Sequence, residues 1–197
     1  MANAGLRLAC ALAVAVSLLA PAQASTRTQV VIFTPWARDG LHHGFGIAAK
    51  AKGACGGHSR VTGRPDAWRC TAGDDVYDPC FEGIARTDEV ACAETPFSTS
   101  VVLIRLPKPL NASVKAFTRW LDRKGAPWGL RLAGGDKCVF ATGASYLIDG
   151  KRLNYACERS GWVAGVPDRA VDLWTVQTVA DPGDKRLVTV PIERAVF

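Results

Sequence analysis

The sequence predicts a mainly β protein: a disulfide-stabilised β-barrel or sandwich with one short amphipathic helix and a loop-rich cysteine region. Three observations predict it. Runs of Val, Ile, Leu, Phe and Trp recur at short intervals, separated by Gly, Pro and Asp. Two strong hairpin signals, Gly134-Gly135-Asp136 and Asp149-Gly150, sit between such runs in residues 128–157 (WGLRLAGGDKCVFATGASYLIDGKRLNYAC), which reads as a three-stranded meander. Six of the seven cysteines fall in three closely spaced pairs beyond the N-terminal apolar run.

Residues 1–24 read as a secretory signal peptide. Arg7 supplies the positive end, residues 8–20 the apolar run, and Ala22-Gln23-Ala24 the small-x-small cleavage pattern. Cys10 precedes most of that run, so lipidation is not expected. Cleavage leaves 197 − 24 = 173 residues, the length of one domain, residues 25–197. Within it, 25–95 reads as a loop-rich, disulfide-tied part and 96–197 as the β core. No second run reaches spanning length, so no membrane span is expected in the mature chain.

The six remaining cysteines are Cys55, Cys70, Cys80, Cys92, Cys138 and Cys157. In an exported chain an even number argues for disulfides and for a secreted or periplasmic location. Loop closure favours neighbours in sequence: Cys55–Cys70, Cys80–Cys92 and Cys138–Cys157. Each would contribute roughly 3 kcal/mol by constraining the unfolded chain. A zinc site wants closer Cys spacing, and none exists here. No metal and no cofactor is expected.

In chain order, residues 28–36 (TQVVIFTPW) read as a continuous apolar strand buried on both faces and ended by Pro35. Glycines at 40, 44, 46 and 53 make the next stretch irregular, with room for a helical turn near 47–52. Residues 55–92 are dense in turn residues, with Trp68, Tyr77 and Phe81 as anchors. Residues 97–106 (FSTSVVLIRL) form a strand. In 111–124 (NASVKAFTRWLDRK) the period changes, with Val114, Phe117 and Leu121 on one face of a helix of about three turns. Asn111-Ala112-Ser113 also matches a glycosylation acceptor. Residues 171–179 and 187–197 alternate and should pair as a hairpin across 181–184 (DPGD), burying Val188, Val190 and Ile192. Pro191 suits an edge strand.

RPDAWRC (64–70), DPCF (78–81), Trp128-x-Leu130 before GGDKC (134–138), and LNYAC (153–157) followed by Trp174-Thr175-Val176 resemble a set of exported bacterial proteins of uncharacterised activity. The resemblance covers roughly 55–197. It implies a shared fold and location, and no activity.

Candidate chemistry is sparse. Asp39, His42, His43 and His58 group Asp and His residues that can bind metal or act as a base near neutral pH. Adjacent histidines in an extended chain point opposite ways, so one ion is hard to share. Asp74, Asp75, Asp78 and Glu82 form the densest acidic cluster, without the EF-hand spacing. No G-x-S-x-G elbow is present. The net charge of +6, or +5 without Arg7, is dispersed and carries no nucleic-acid module. It fits attraction to an anionic envelope polymer. The six tryptophans admit a sugar platform, yet Trp120, Trp128 and Trp174 sit in patterned segments and read as core.

Two function classes follow. The first is a non-catalytic extracytoplasmic module that binds a protein, an envelope polymer or a small ligand. The second is a hydrolase of unfamiliar type using His42/His43 or the acidic cluster. The absence of catalytic spacing favours the first.

Overall fold

The computed structural model describes residues 25–83, 86–110, 125–143 and 145–197, which form sixteen strands and no helix. The N-terminal strands are β1 (Gln29–Val31), β2 (Trp36–Ala37), β3 (Gly40–Leu41), β4 (Gly46–Lys52) and β5 (Ala54–His58). Then come β6 (Ala67–Ala72), β7 (Asp75–Glu82), β8 (Glu89–Cys92) and β9 (Ser100–Arg105). The C-terminal half holds β10 (Gly129–Leu132), β11 (Lys137–Phe140), β12 (Leu147–Ile148), β13 (Lys151–Cys157), β14 (Trp162–Asp168), β15 (Thr175–Val179) and β16 (Val188–Val196).

The C-terminal strands close a barrel. β10, β11, β13, β14, β15 and β16 follow one another in antiparallel pairs, and β16 pairs back onto β10. The expected meander is its first half. Asp149 (φ 49°) and Gly150 (φ 74°) supply the left-handed backbone that the β12–β13 hairpin needs. Period-2 alternation fills the interior: Leu130, Leu132, Tyr155, Val163, Val176 and Ile192 are all buried there. The Tyr155 hydroxyl donates to the Pro127 carbonyl at 2.9 Å, which satisfies the one polar atom of that ring. The 175–179/188–191 hairpin also forms as expected.

The second sheet runs β4-β9-β8-β7-β6-β5. Its two edge strands are consecutive in the chain, separated by Gly53 alone, so the sheet curls until one bent strand forms both edges. A Cβ at Gly53 would lie 2.1 Å from the Thr71 carbonyl oxygen and 2.9 Å from Ile104. Only a residue without a side chain lets the chain pass from β9 to β6 there. Val90, Cys92 and Ile104 fill this smaller curl, while Ala91, Val101 and Leu103 on the other face meet the larger barrel at Phe33, Trp128 and Val196.

All three disulfides follow the sequential pairing. Each joins residues directly opposite one another in a ladder: Cys55 and Cys70, Cys80 and Cys92, Cys138 and Cys157. They therefore staple strands together rather than restrict loops. The loop-rich reading of 55–92 is corrected on this point, since that stretch carries β5 to β8. Small core residues explain the difference: Ala67, Cys70, Ala72, Cys80, Ala91 and Cys92 are buried, though few would count as strand anchors. The irregular 47–52 segment is strand β4 as well.

Two further expectations change. Residues 28–36 do not form a central strand: β1 is three residues long, parallel to the end of β16, with Gln29 and Val30 exposed. It extends the eight-stranded sheet beside the end of β16, and Phe33 is the apolar residue of this run that is buried in the core. Val188 is also exposed, at the mouth of its hairpin, while Ile192 is fully buried. β16 is not an edge strand despite Pro191. The Pro191 carbonyl accepts from Ala133 N–H, so its nitrogen faces the same way, beyond the end of the β10 ladder where no donor is needed. The helix and glycosylation acceptor in 111–124 and the signal peptide lie outside the described residues.

Candidate functional site

The joint between the two curled sheets is held by a buried cation. Arg64 is 1% exposed. Its guanidinium grips the Asp66 carboxylate at 2.9 and 2.6 Å and donates to the main-chain oxygens of Phe33 (2.6 Å) and Phe197 (3.0 Å). It also lies 4.6 Å from the Phe81 ring centroid. This one side chain ties the loop before β6 to the segment after β1 and the end of β16. It sits inside the RPDAWRC motif, whose role here is structural.

Beside this joint opens a cleft of about 390 Å³. Its floor is apolar, built from Phe33, Phe45, Phe97 and Val196. Phe33 is locked by ring contacts to Phe45 (5.3 Å) and Trp128 (5.1 Å). One wall is the connection from β8 to β9 at Pro96, Phe97 and Ser98. That wall lies directly on the barrel because β10 presents glycine to it: a Cβ at Gly129 would come within 2.2 Å of the Pro96 ring. The other wall is the outer face of the barrel, where Lys137, Arg131 and Arg194 stand side by side.

Register produces that row. The turn at Gly134-Gly135-Asp136 sets Arg131 opposite Lys137, and barrel closure sets Arg131 opposite Arg194. Like charges placed directly across a ladder repel, so the row costs stability unless a counter-charge is present. Lys137 has one, Glu158 at 3.8 Å, and lies over the Phe97 ring at 5.7 Å. Arg194 donates to neutral Gln29 at 2.8 Å. Arg131 has a buried Nε with no hydrogen-bond partner, and among the described residues neither arginine has an ion pair. The cleft is therefore electropositive above an apolar floor.

Asp136 maintains this register. Its carboxylate accepts from the N–H groups of Arg159 (3.1 Å) and Ser160 (2.8 Å), pinning the hairpin to the 158–160 loop that carries Glu158. Burial pushes its pKa up; the bonds from Ser160 and Arg159 and the nearby Arg159 guanidinium reverse this and hold it below the ordinary carboxylate value. A depressed folded-state pKa gives stability that is present above the unfolded-state pKa and lost as pH falls through the folded one. Asp136→Asn is thus expected to lower the melting temperature at pH 7. The gap from wild type should shrink as pH drops below the ordinary carboxylate range, as followed by circular dichroism.

The structure separates the expected site residues. His42 lines the cleft, with its Nδ1 accepting from Gly44 N–H at 3.3 Å. His43 is exposed and Asp39 sits at the β2–β3 turn; neither lines the cleft. His58 is on β5, stacked on Trp68 at 4.5 Å. Two hydroxyls line the cleft, those of Thr34 and Ser98, and that of Ser98 bonds to Thr95. The acidic cluster is spread along β7: Asp75 and Glu82 stand at opposite ends of eight strand residues, about 23 Å apart at 3.3 Å per residue. Asp78 accepts from Arg60 N–H at 3.1 Å. Among the described residues the one grouping with metal-ligand spacing is Asp136, Cys138 and Cys157, and both sulfurs are already joined to each other. Trp128 is core, as expected, and Trp174 is half-buried against Phe197.

Sequence reasoning missed Arg131, Lys137 and Arg194. The Arg131–Lys137 half was legible, since counting outward from the Gly134-Gly135-Asp136 turn pairs them; Arg194 joins only through barrel closure. Among the described residues no helix is long and apolar enough to cross a membrane. No protein-family model, curated protein or solved structure matches the chain.

Proposed function

We propose that this chain is an exported, extracytoplasmic binding module that does no chemistry and holds its ligand in the cleft beside Arg64. The observation that carries the reading is the row Lys137–Arg131–Arg194 above an apolar floor. Its size falls in the range of small-molecule sites, about 300–1,000 Å³, and it lies at an interface between two packed units, where such sites concentrate. Export is supported by the leader-like residues 1–24 and by three disulfides, which persist in oxidising compartments. The hydrolase reading gains little, because His42 shares the cleft with cations and with the hydroxyls of Thr34 and Ser98, and no carboxylate lines it to orient the imidazole.

The test is native mass spectrometry of the mature protein incubated with size-fractionated envelope extract. A stoichiometric adduct that Arg131→Glu removes supports the module. Consumption of an extract component with release of products, abolished by His42→Ala, would move the protein to the hydrolase class.

A further inference from the structure

We infer that the ligand is an amphipathic oxyanion: a carboxylate or phosphate group, bridged by Arg131 and Arg194, attached to an apolar body that lies on the Phe33–Phe45–Phe97 floor. This deepens the binding reading and rests on it. Three independent features point to it.

The first is charge without a partner. Arg131 and Arg194 face each other across the β10–β16 ladder with no carboxylate to either among the described residues, whereas Lys137 has Glu158. The oxyanion therefore belongs at the arginine end of the row. The second is the donor inventory. Arg194 spends its Nε on Gln29, and among the described residues the terminal nitrogens of both arginines make no hydrogen bond. Planar guanidinium forks match the two oxygens of a carboxylate or a phosphate edge, so the pair is a ready receptor for either. The third is the floor. Phe33 is held rigid by its neighbours, so an apolar group finds a preformed surface. A bare ion would use the arginines and leave the aromatic floor wet; an uncharged apolar ligand would leave the arginines repelling each other. One molecule with both parts satisfies both.

The experiment is isothermal titration of the mature, disulfide-bonded protein with four probes: 4-phenylbutanoate, 4-phenylbutyl phosphate, 4-phenylbutanamide, and acetate. Both anionic amphiphiles are expected to bind at least about tenfold more tightly than the amide and than acetate, since a charge-assisted bidentate contact exceeds a neutral one. The ratio of carboxylate to phosphate affinity identifies which head group the site prefers. Arg194→Gln, on an exposed contact, should bring the anionic probes down to the amide. Cross-peak shifts confined to the cleft residues in 15N spectra would place the site. Equal binding of amide and carboxylate overturns the oxyanion assignment while leaving a binding module. Acetate binding as well as 4-phenylbutanoate overturns the amphipathic part. Failure of both anionic amphiphiles overturns the inference; the binding reading itself falls only if the extract also gives no adduct.

Discussion

Removing residues 187–197 is expected to abolish cooperative folding. β16 is the strand that closes the larger barrel, pairing with β15 along one side and β10 along the other, and it also carries β1. Without it three ladders are lost together. Ile192, Ala195, Val196 and Phe197 are each at most 5% exposed, and Phe197 also receives the Arg64 bond. Burying each of the three large side chains among them contributes roughly 1.5–3 kcal/mol. Total domain stability is only about 5–15 kcal/mol, so the truncated chain should be protease-sensitive and without a thermal transition. A truncated protein that still melts cooperatively near the full-length temperature would show that the barrel closes some other way.

Arg64→Met should cost about 3–5 kcal/mol, the range seen when one member of a buried ion pair is removed. Two buried main-chain oxygens, of Phe33 and Phe197, lose this donor, and Asp66 keeps a charge without its bidentate partner. Arg64→Lys should recover little, because a single ammonium cannot serve a carboxylate and two main-chain oxygens in one plane while lying over Phe81. Urea unfolding measures both. A Met variant within about 0.5 kcal/mol of wild type, as for an ordinary surface change, would mean that the joint does not depend on this cation.

These two expectations concern features that differ in how far the sequence foretold them. Residues 187–197 could be read as a strand from their alternation, because period 2 is a property of the local chain. That this strand is the keystone of a closed barrel could not, since closure depends on its pairing to β10, which is far away in sequence. The same division runs through the molecule. The Asp149-Gly150 hairpin was legible because left-handed backbone at both positions demands those residue types. So was the sequential disulfide pairing, because each pair spans a short loop. Residues 55–92 misled because Ala and Cys carry weak local signals, and it is their stacking in the smaller sheet that buries them. Thr28 to Phe33 misled in the opposite direction: an apolar run marks burial only when partners exist on both faces, and β1 has β16 along its length and solvent at Val30.

The candidate site shows the division most sharply. His42, His43 and Asp39 were grouped because they are neighbours in sequence, but a side chain's surroundings are set by which strand lies beside it. Sequence alone determined that Arg131 faces away from Leu130 and Leu132, and that a tight turn returns the chain with Lys137 opposite. Tertiary structure decided that Arg194 arrives on the other side, that Gly129 admits the Pro96 wall, and that Phe33 lies beneath. Two cations flanking one turn and a third far along the chain become one electropositive wall because ladder registers over closed sheets are collective: each pairing constrains the next, and no short window contains them all.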